Sequence, residues 1–256
     1  MRVLLTNDDG LSSPGLLALA RAMRSAADTF VVAPEHERSA ASHAITLHKP
    51  LRVVRTTLGD TAVPAWSTNG TPADCVVLAV LDLLGTPPDV VVSGINAGAN
   101  LGMDLIYSGT VSGAVEASLF GIPAIAISVA SFTDIRWEGA AVFAAQLAGE
   151  VVRHGLPRDT FLNVNVPNLP AAQIRGVEIT RQSSRRYVSR LEKRSDPRGR
   201  DYYWLTGSPN GGESDPGTDA RAVTEGRISI TPLRLDMTHE ELYPMLRSWN
   251  LAVPSR

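Results

Sequence analysis

The stretch MRVLLTNDDG, residues 1–10, decides the fold. Val3, Leu4 and Leu5 form a continuous apolar run, Thr6 ends it, and Asn7, Asp8, Asp9 and Gly10 follow. An unbroken apolar run reads as a parallel strand buried on both faces, and the polar tetrad as the loop at its carboxyl end. In open α/β sheets that end is where ligands bind. Two adjacent carboxylates repel, so keeping both ionised at one strand tip calls for a cation. The same residues also make an ordinary turn, because Asp-Gly is a common turn pair and Asn-Asp suits a helix cap. On these ten residues alone the two readings stand level, and the rest of the chain has to separate them.

Composition narrows the class. The 256 residues are 44% hydrophobic and 20% charged, as in a globular α/β chain. Twenty-four basic residues against twenty-six acidic ones give a net charge of −2, without the basic excess of a general nucleic-acid binder. Cys75 is the single cysteine, which excludes an intrachain disulfide and a cysteine-based metal cage. No apolar run approaches the roughly 20 residues of a membrane span, and the first residues read as a strand rather than a leader, so a cytoplasmic protein is expected.

Outward from the tetrad, Ser12-Ser13-Pro14 starts a helix, with Leu16, Leu17, Leu19, Ala20 and Met23 at helical spacing. A second buried strand covers 29–33 and completes a βαβ unit. The polar loop PEHERSAASHAITLH (34–48) leaves its carboxyl end and therefore sits beside Asp8 and Asp9. Short strands at 51–57 and 62–67 flank a Gly59-Asp60 turn. Thr71, Pro72 and Asp74 open a capped helix that carries Cys75, a buried inert thiol, and stops at Gly85. Strands follow at 88–93, 123–128 and 161–166, with a small-residue helix starting after Thr110 and an Ala-rich one over 139–154. Beyond residue 170 the composition changes. Residues 181–200 hold eight Arg or Lys and two acids, and 207–219 are rich in Gly, Ser, Pro and Asp. This predicts an extended hairpin arm ending in a mobile loop, then a strand at 227–231 and a last helix over 238–249, opened by a capping box of Thr238 and Glu241. The expected architecture is α/β: a Rossmann-like three-layer core with a mostly parallel sheet over 1–170, and a protruding β-hairpin arm and C-terminal segment over 171–256.

Three successive strand tips carry polar clusters: Asn7-Asp8-Asp9, the loop from Glu35 to Ser42, and the run from Asn96 to Thr110. Three at one sheet edge point to a site. The donors are carboxylates, hydroxyls and Asn amides, a hard-oxygen set suited to Mg²⁺, Mn²⁺ or Ca²⁺ rather than zinc. His36, His43 and His48 lack the spacing of a helical zinc motif and read as exposed loop residues. Ser108-Gly109-Thr110 precedes a helix, and free amides at a helix start beside hydroxyls suit a phosphate; an ordinary cap is the alternative reading. Gly94, Gly98 and Gly102 do not make a dinucleotide fingerprint, and neither a nucleotide-triphosphate loop nor a GxSxG elbow is present. Arg185, Arg186 and Arg190 on the arm read as a solvated or subunit-contacting face.

LLTNDDG, APEHERSAASHAITL, GTPADCV and above all VVSGINAGANLGMDLIYSGTVSGAVEASLFGIPAIAIS resemble the SurE (survival protein E) family of metal-dependent 5′/3′-nucleotidases. NVNVP, RRY, TDARAV and ISITPL extend the resemblance along nearly the whole chain. It implies a divalent cation, Mg²⁺ or Mn²⁺, held by Asp8, Asp9, Ser39 and Asn96. It places Asn7, Asn100, Ser108, Gly109 and Thr110 around a phosphate. It also implies a homodimer or homotetramer built through the arm and an exchanged C-terminal segment. Where the family usually carries glycine after the loop serine, this chain has Ala40.

The expected reaction is hydrolysis of a nucleoside monophosphate by direct attack of metal-bound water, with Asp8 orienting that water, the backbone amides near Gly109 and Thr110 holding the phosphate, and Asn96 and Asn100 donating to the equatorial oxygens. Neither a membrane partner nor a stable nucleic-acid complex is expected. The rivals are a non-catalytic nucleotide or phosphate binder, and a phosphatase acting on short RNA or polyphosphate.

Overall fold

The computed structural model describes residues 1–210, 215–249 and 251–253. In chain order the elements are β1 (Arg2–Thr6), α1 (Pro14–Met23), β2 (Asp28–Pro34), β3 (Val53–Thr57), β4 (Pro64–Thr68), α2 (Pro72–Leu78), β5 (Val90–Ala97), α3 (Gly109–Leu119), β6 (Ala124–Val129) and α4 (Trp137–His154). There follow β7 (Thr160–Val166), β8 (Val177–Ile179), β9 (Arg186–Ser195), β10 (Asp201–Asn210), α5 (Asp219–Thr224), β11 (Ile228–Arg234) and α6 (Tyr243–Ser248).

Nine strands form one sheet in the order β3-β4-β2-β1-β5-β6-β7-β11-β8. The β1–β2, β1–β5, β2–β4, β5–β6 and β6–β7 pairs are parallel, and β3–β4 and β7–β11 are antiparallel. The alternation of side chains along β1 builds the three layers. Val3 and Leu5 join the core that packs α1 and α4, whereas Leu4 faces the opposite cluster with Val76 of α2 and Ala114 of α3. Chain order reverses at β1: β2 lies on one side and β5 on the other. This switch point is where an open α/β sheet leaves a crevice at its carboxyl edge.

Local chemistry explains the helices that border the crevice. Thr71 and Asp74 cap α2 reciprocally, each side chain taking the other's backbone amide. A π-turn over Ala79–Leu83 follows, and Gly85 ends it at φ 62°. Ser13 occupies the cap position of α1, yet its hydroxyl makes no capping bond, so Pro14 alone marks that start. In α3 small residues permit close approach to the sheet. A Cβ on Gly113 would come within 2.7 Å of Ser93 Oγ.

The strand expected at 88–93 runs further, to Ala97, and so carries Asn96 within the sheet. Beyond residue 170, β8 and β11 extend the core sheet, while β9 and β10 pair with each other in a separate ten-residue antiparallel ladder. Asp196 closes the arm's tip by accepting the Arg198 and Arg200 amides. Part of the loop expected over 207–219 is strand up to Asn210, and 211–214 lie outside the described residues. The single capped helix expected over 238–249 does not form. A 3-10 turn at Glu240–Leu242 precedes the short α6, and Thr238 donates its amide to Asp236 instead of capping. Pro244 is the reason: it lacks an amide, and its ring would clash with the Glu240 carbonyl in a continuous helix. Among the described residues, no helix is long and apolar enough to cross a membrane.

Candidate active site

Asp8 and Asp9 leave β1 at the switch point, next to β5. Asp8 is 5% exposed. Its carboxylate sits at the start of α3, where it accepts the Thr110 hydroxyl and is stabilised by the Thr110 amide. Gly109 makes this approach possible, since a Cβ there would lie 2.7 Å from Asp8 Cβ and 2.8 Å from Oδ2. Asp9 points the other way along the crevice, toward the end of β5, where its Oδ2 lies 3.4 Å from the Ala97 amide. Next to Ala97, Asn96 donates Nδ2 to the Gly98 carbonyl at 2.8 Å, which fixes the amide and leaves Oδ1 without a bond among the described residues.

Burial pushes the Asp8 carboxyl up from its ordinary value, against the opposing Thr110 hydrogen bonds. Burial, and then the Asp8 charge, push Asp9 up to about 6. Among the described residues no lysine, arginine or histidine forms an ion pair with either group, although the chain forms such pairs elsewhere. The negative charge at the tip is therefore uncompensated by the chain. Asn7, fully buried, donates Nδ2 to the Gly10 carbonyl, and its Oδ1 is buried without a partner. Hard-oxygen donors, two crowded carboxylates and an orphaned amide oxygen fit a divalent cation. Among the described residues no group of three or more His, Cys, Asp or Glu is placed to hold a metal, so a site here has to draw on Asn and Ser oxygens as well.

The 34–48 loop does lie beside the tip. The Arg38 amide donates to the Asp8 carbonyl at 2.7 Å, and Ser42 binds the backbone oxygens of Tyr107 and Ile106. Thr46 is held by Asp74, and His43 by Glu116 of α3 at 2.7 Å, so this histidine is a tether while His36 and His48 are exposed. Ser39 follows Arg38 and donates its hydroxyl to Glu37. Ala40 adopts φ 55°, the left-handed region in which glycine is at ease. The loop thus makes, with alanine, a turn at which glycine would be unstrained.

On the other side of the crevice, Ser108 caps α3 by accepting the Val111 amide at 3.1 Å. The Gly109 amide makes no hydrogen bond among the described residues, and Thr110 is spent on Asp8. Asn100 is held from three sides: its Nδ2 donates to Ser128 Oγ, its amide to Asn165 Oδ1, and its carbonyl accepts from both Asn163 and Asn165. Sequence reading passed over these braces. Their signal is the NVNV pattern, which puts two Asn on one face of a buried strand where each needs a partner. Asp219 is also new. Fully buried, it takes the amides of Gly102, Ser183 and Ala220, and so ties the segment after Asn100 to the base of the arm.

The model of the family described as Survival protein SurE matches residues 3–189. The chain is 53% identical over 253 residues to the 5′-nucleotidase SurE of Geobacter sulfurreducens, covering 98% of this chain and 95% of that one. It is 52% identical over 253 residues to the 5′-nucleotidase SurE of Geotalea uraniireducens, covering 98% and 100%. The crystal structure of the SurE protein from Aquifex aeolicus superposes with a TM-score of 0.84 at 42% identity, over 97% of this chain and 99% of that one. By its fold, by the crevice at the β1–β5 switch point and by these likenesses along almost its whole length, the chain belongs to the SurE family.

Proposed function

We propose that this protein is a 5′-nucleotidase that uses a divalent cation, Mg²⁺ or Mn²⁺, to release phosphate from nucleoside 5′-monophosphates, and from 3′-monophosphates as well. The observation that carries this reading is the Asp8–Asp9 pair, set against the first turn of α3 and paired with no basic side chain among the described residues. Asp8, Asp9, Ser39 and Asn96 would hold the cation. When bound, such a cation supplies Lewis-acid polarisation of a phosphoryl oxygen and an acidified water.

The chain's own groups do the rest. The Gly109 amide and the positive end of α3 attract the phosphate beside Ser108, while Asn7, Asn100 and Thr110, their side chains engaged by Gly10, Ser128 and Asp8, shape that wall of the site. Thr110 holds Asp8 in the rotamer that faces the crevice, and Asp8 orients the attacking water. Asn96 meets the phosphoryl oxygens as negative charge spreads over them. Gly98 and the Asn163–Asn165–Ser128 brace fix Asn96 and Asn100 before substrate arrives, so little reorganisation is needed.

The arm and the C-terminal segment fit the role of subunit contacts in a dimer or tetramer. Leu191, Trp204 and Leu205 on the arm and Met237, Trp249 and Leu251 in the tail are all more than half exposed. A cytoplasmic setting suits the nucleotide substrate and the single reduced thiol.

Phosphate release from 5′-AMP by purified protein tests the reading. Turnover is expected with Mg²⁺ or Mn²⁺ and should vanish with excess EDTA. Binding of AMP without any turnover under a full series of divalent cations would instead identify a nucleotide sensor.

A further inference from the structure

Beyond the end of β6, the strand next to β5, residues 130–134 form a turn at the same sheet edge as Asn96. The turn is braced by its own bonds. Ala130 donates to the Val166 carbonyl, Ser131 Oγ to the Thr133 carbonyl at 2.7 Å, and Asn168 Nδ2 to the Asp134 carbonyl at 3.1 Å. At its apex Phe132 is 82% exposed, an aromatic ring left largely open to water between Ser131 and Thr133. Burial of an aromatic ring is a large favourable term, so a fixed loop that presents one to solvent forgoes it.

The ring is nonetheless seated on one spot. It lies over Gly98, where a Cβ would come within 2.3 Å of Phe132 Cε1 and 2.5 Å of Cζ. Gly98, at φ 99°, is the residue whose carbonyl fixes the Asn96 amide, and its own amide donates to the Val129 carbonyl. The backbone that orients Asn96 thus also carries the ring, and two residues of extended chain span at most about 7 Å. A phosphate held at Asn96 thus leaves the rest of a nucleoside monophosphate within reach of the ring.

We propose that Phe132 is the platform on which the nucleobase of the substrate stacks, and that it is the residue by which the site distinguishes a nucleoside monophosphate from a sugar phosphate without a base. This rests on the nucleotidase reading above. Base–aromatic stacking tolerates all bases because each has a π-face, so Phe132 selects for the presence of a base over its identity.

The test compares kcat and KM for 5′-AMP and for ribose 5-phosphate in wild type, Phe132→Ala and Phe132→Trp, with light scattering on each protein. Phe132→Ala should raise KM for AMP by about tenfold or more, leave kcat within about twofold, leave ribose 5-phosphate unchanged, and be rescued by Phe132→Trp. Equal losses on both substrates, no loss on either, or a wild type that handles both substrates equally well would overturn the proposal. A change in subunit number in Phe132→Ala would assign the ring to an oligomer contact and overturn it too. A wild type that releases phosphate from neither substrate would refute the nucleotidase reading itself, and this inference with it.

Discussion

Asp9→Asn is expected to lower turnover of 5′-AMP by about 100-fold or more at saturating Mg²⁺ or Mn²⁺, equivalent to about 2.7 kcal/mol of transition-state stabilisation. The substitution keeps the size and shape of the side chain and removes one of the two adjacent charges that would grip the cation. The same variant should change stability in the opposite sense. In the metal-free protein the Asp9 carboxyl is raised from 3.8 to about 6, by burial and by the Asp8 charge. A group shifted this way contributes stability that is complete below about pH 4 and is lost as the pH climbs through about 6. Asn has no proton to lose, so near pH 8 in EDTA the variant should melt above wild type, with the gap closing toward about pH 4. Melting curves across that range, beside phosphate-release rates, check both halves. Wild-type turnover in Asp9→Asn would remove the carboxylate pair from the mechanism.

Gly109→Ala is the second large effect. The added Cβ would press within 2.7 Å of Asp8 Cβ and 2.8 Å of Asp8 Oδ2, so the Asp8 side chain has to move. Overpacking of this kind costs about 1–3 kcal/mol, and here the atom that must yield is the proposed ligand. The Asp8 carboxylate would swing off Thr110, and kcat/KM should fall by about 100-fold, since misplacement of about 1 Å can cost that much. Gly139→Ala is the matched control. Gly139 lies in α4 with nothing near its Cβ position, so alanine there should leave activity intact and stabilise the helix by up to about 1 kcal/mol. Circular dichroism and kinetics on the two variants together separate a local clash from a general effect of replacing glycine. Equal activity in both would show that the Asp8 rotamer does not matter.

Much of this was legible in the residues because apolar runs and capping signals act locally. VLL, VVA, VVV and IAI are buried on both faces, which a parallel sheet between helices provides, and Thr71-Pro72 with Asp74 forms the capped start those residue types predict. The order of the strands carried the rest of the site: once β1 and β5 are neighbours, Asp9 and Asn96 share a crevice. What stayed hidden depends on contacts between distant segments. Asp219 reads as an ordinary first-turn acid of a short helix, yet its carboxylate crosses to Gly102. Asn100 looks like an open amide beside a phosphate, but Ser128 and Asn165 hold it. Thr110 looks like an anion ligand, and its hydroxyl instead serves Asp8. The last helix failed for a local reason that was visible: Pro244 outweighs the capping signal at Thr238.

Mn²⁺ introduced into crystals of the wild-type protein, located by its anomalous scattering, tests the central claim most directly. The account predicts one strong peak in the crevice between β1 and β5, coordinated by carboxylate oxygens of both Asp8 and Asp9 and by Asn96 Oδ1. A saturated crystal with its manganese elsewhere, or with both carboxylates turned away from Asn96, would contradict it.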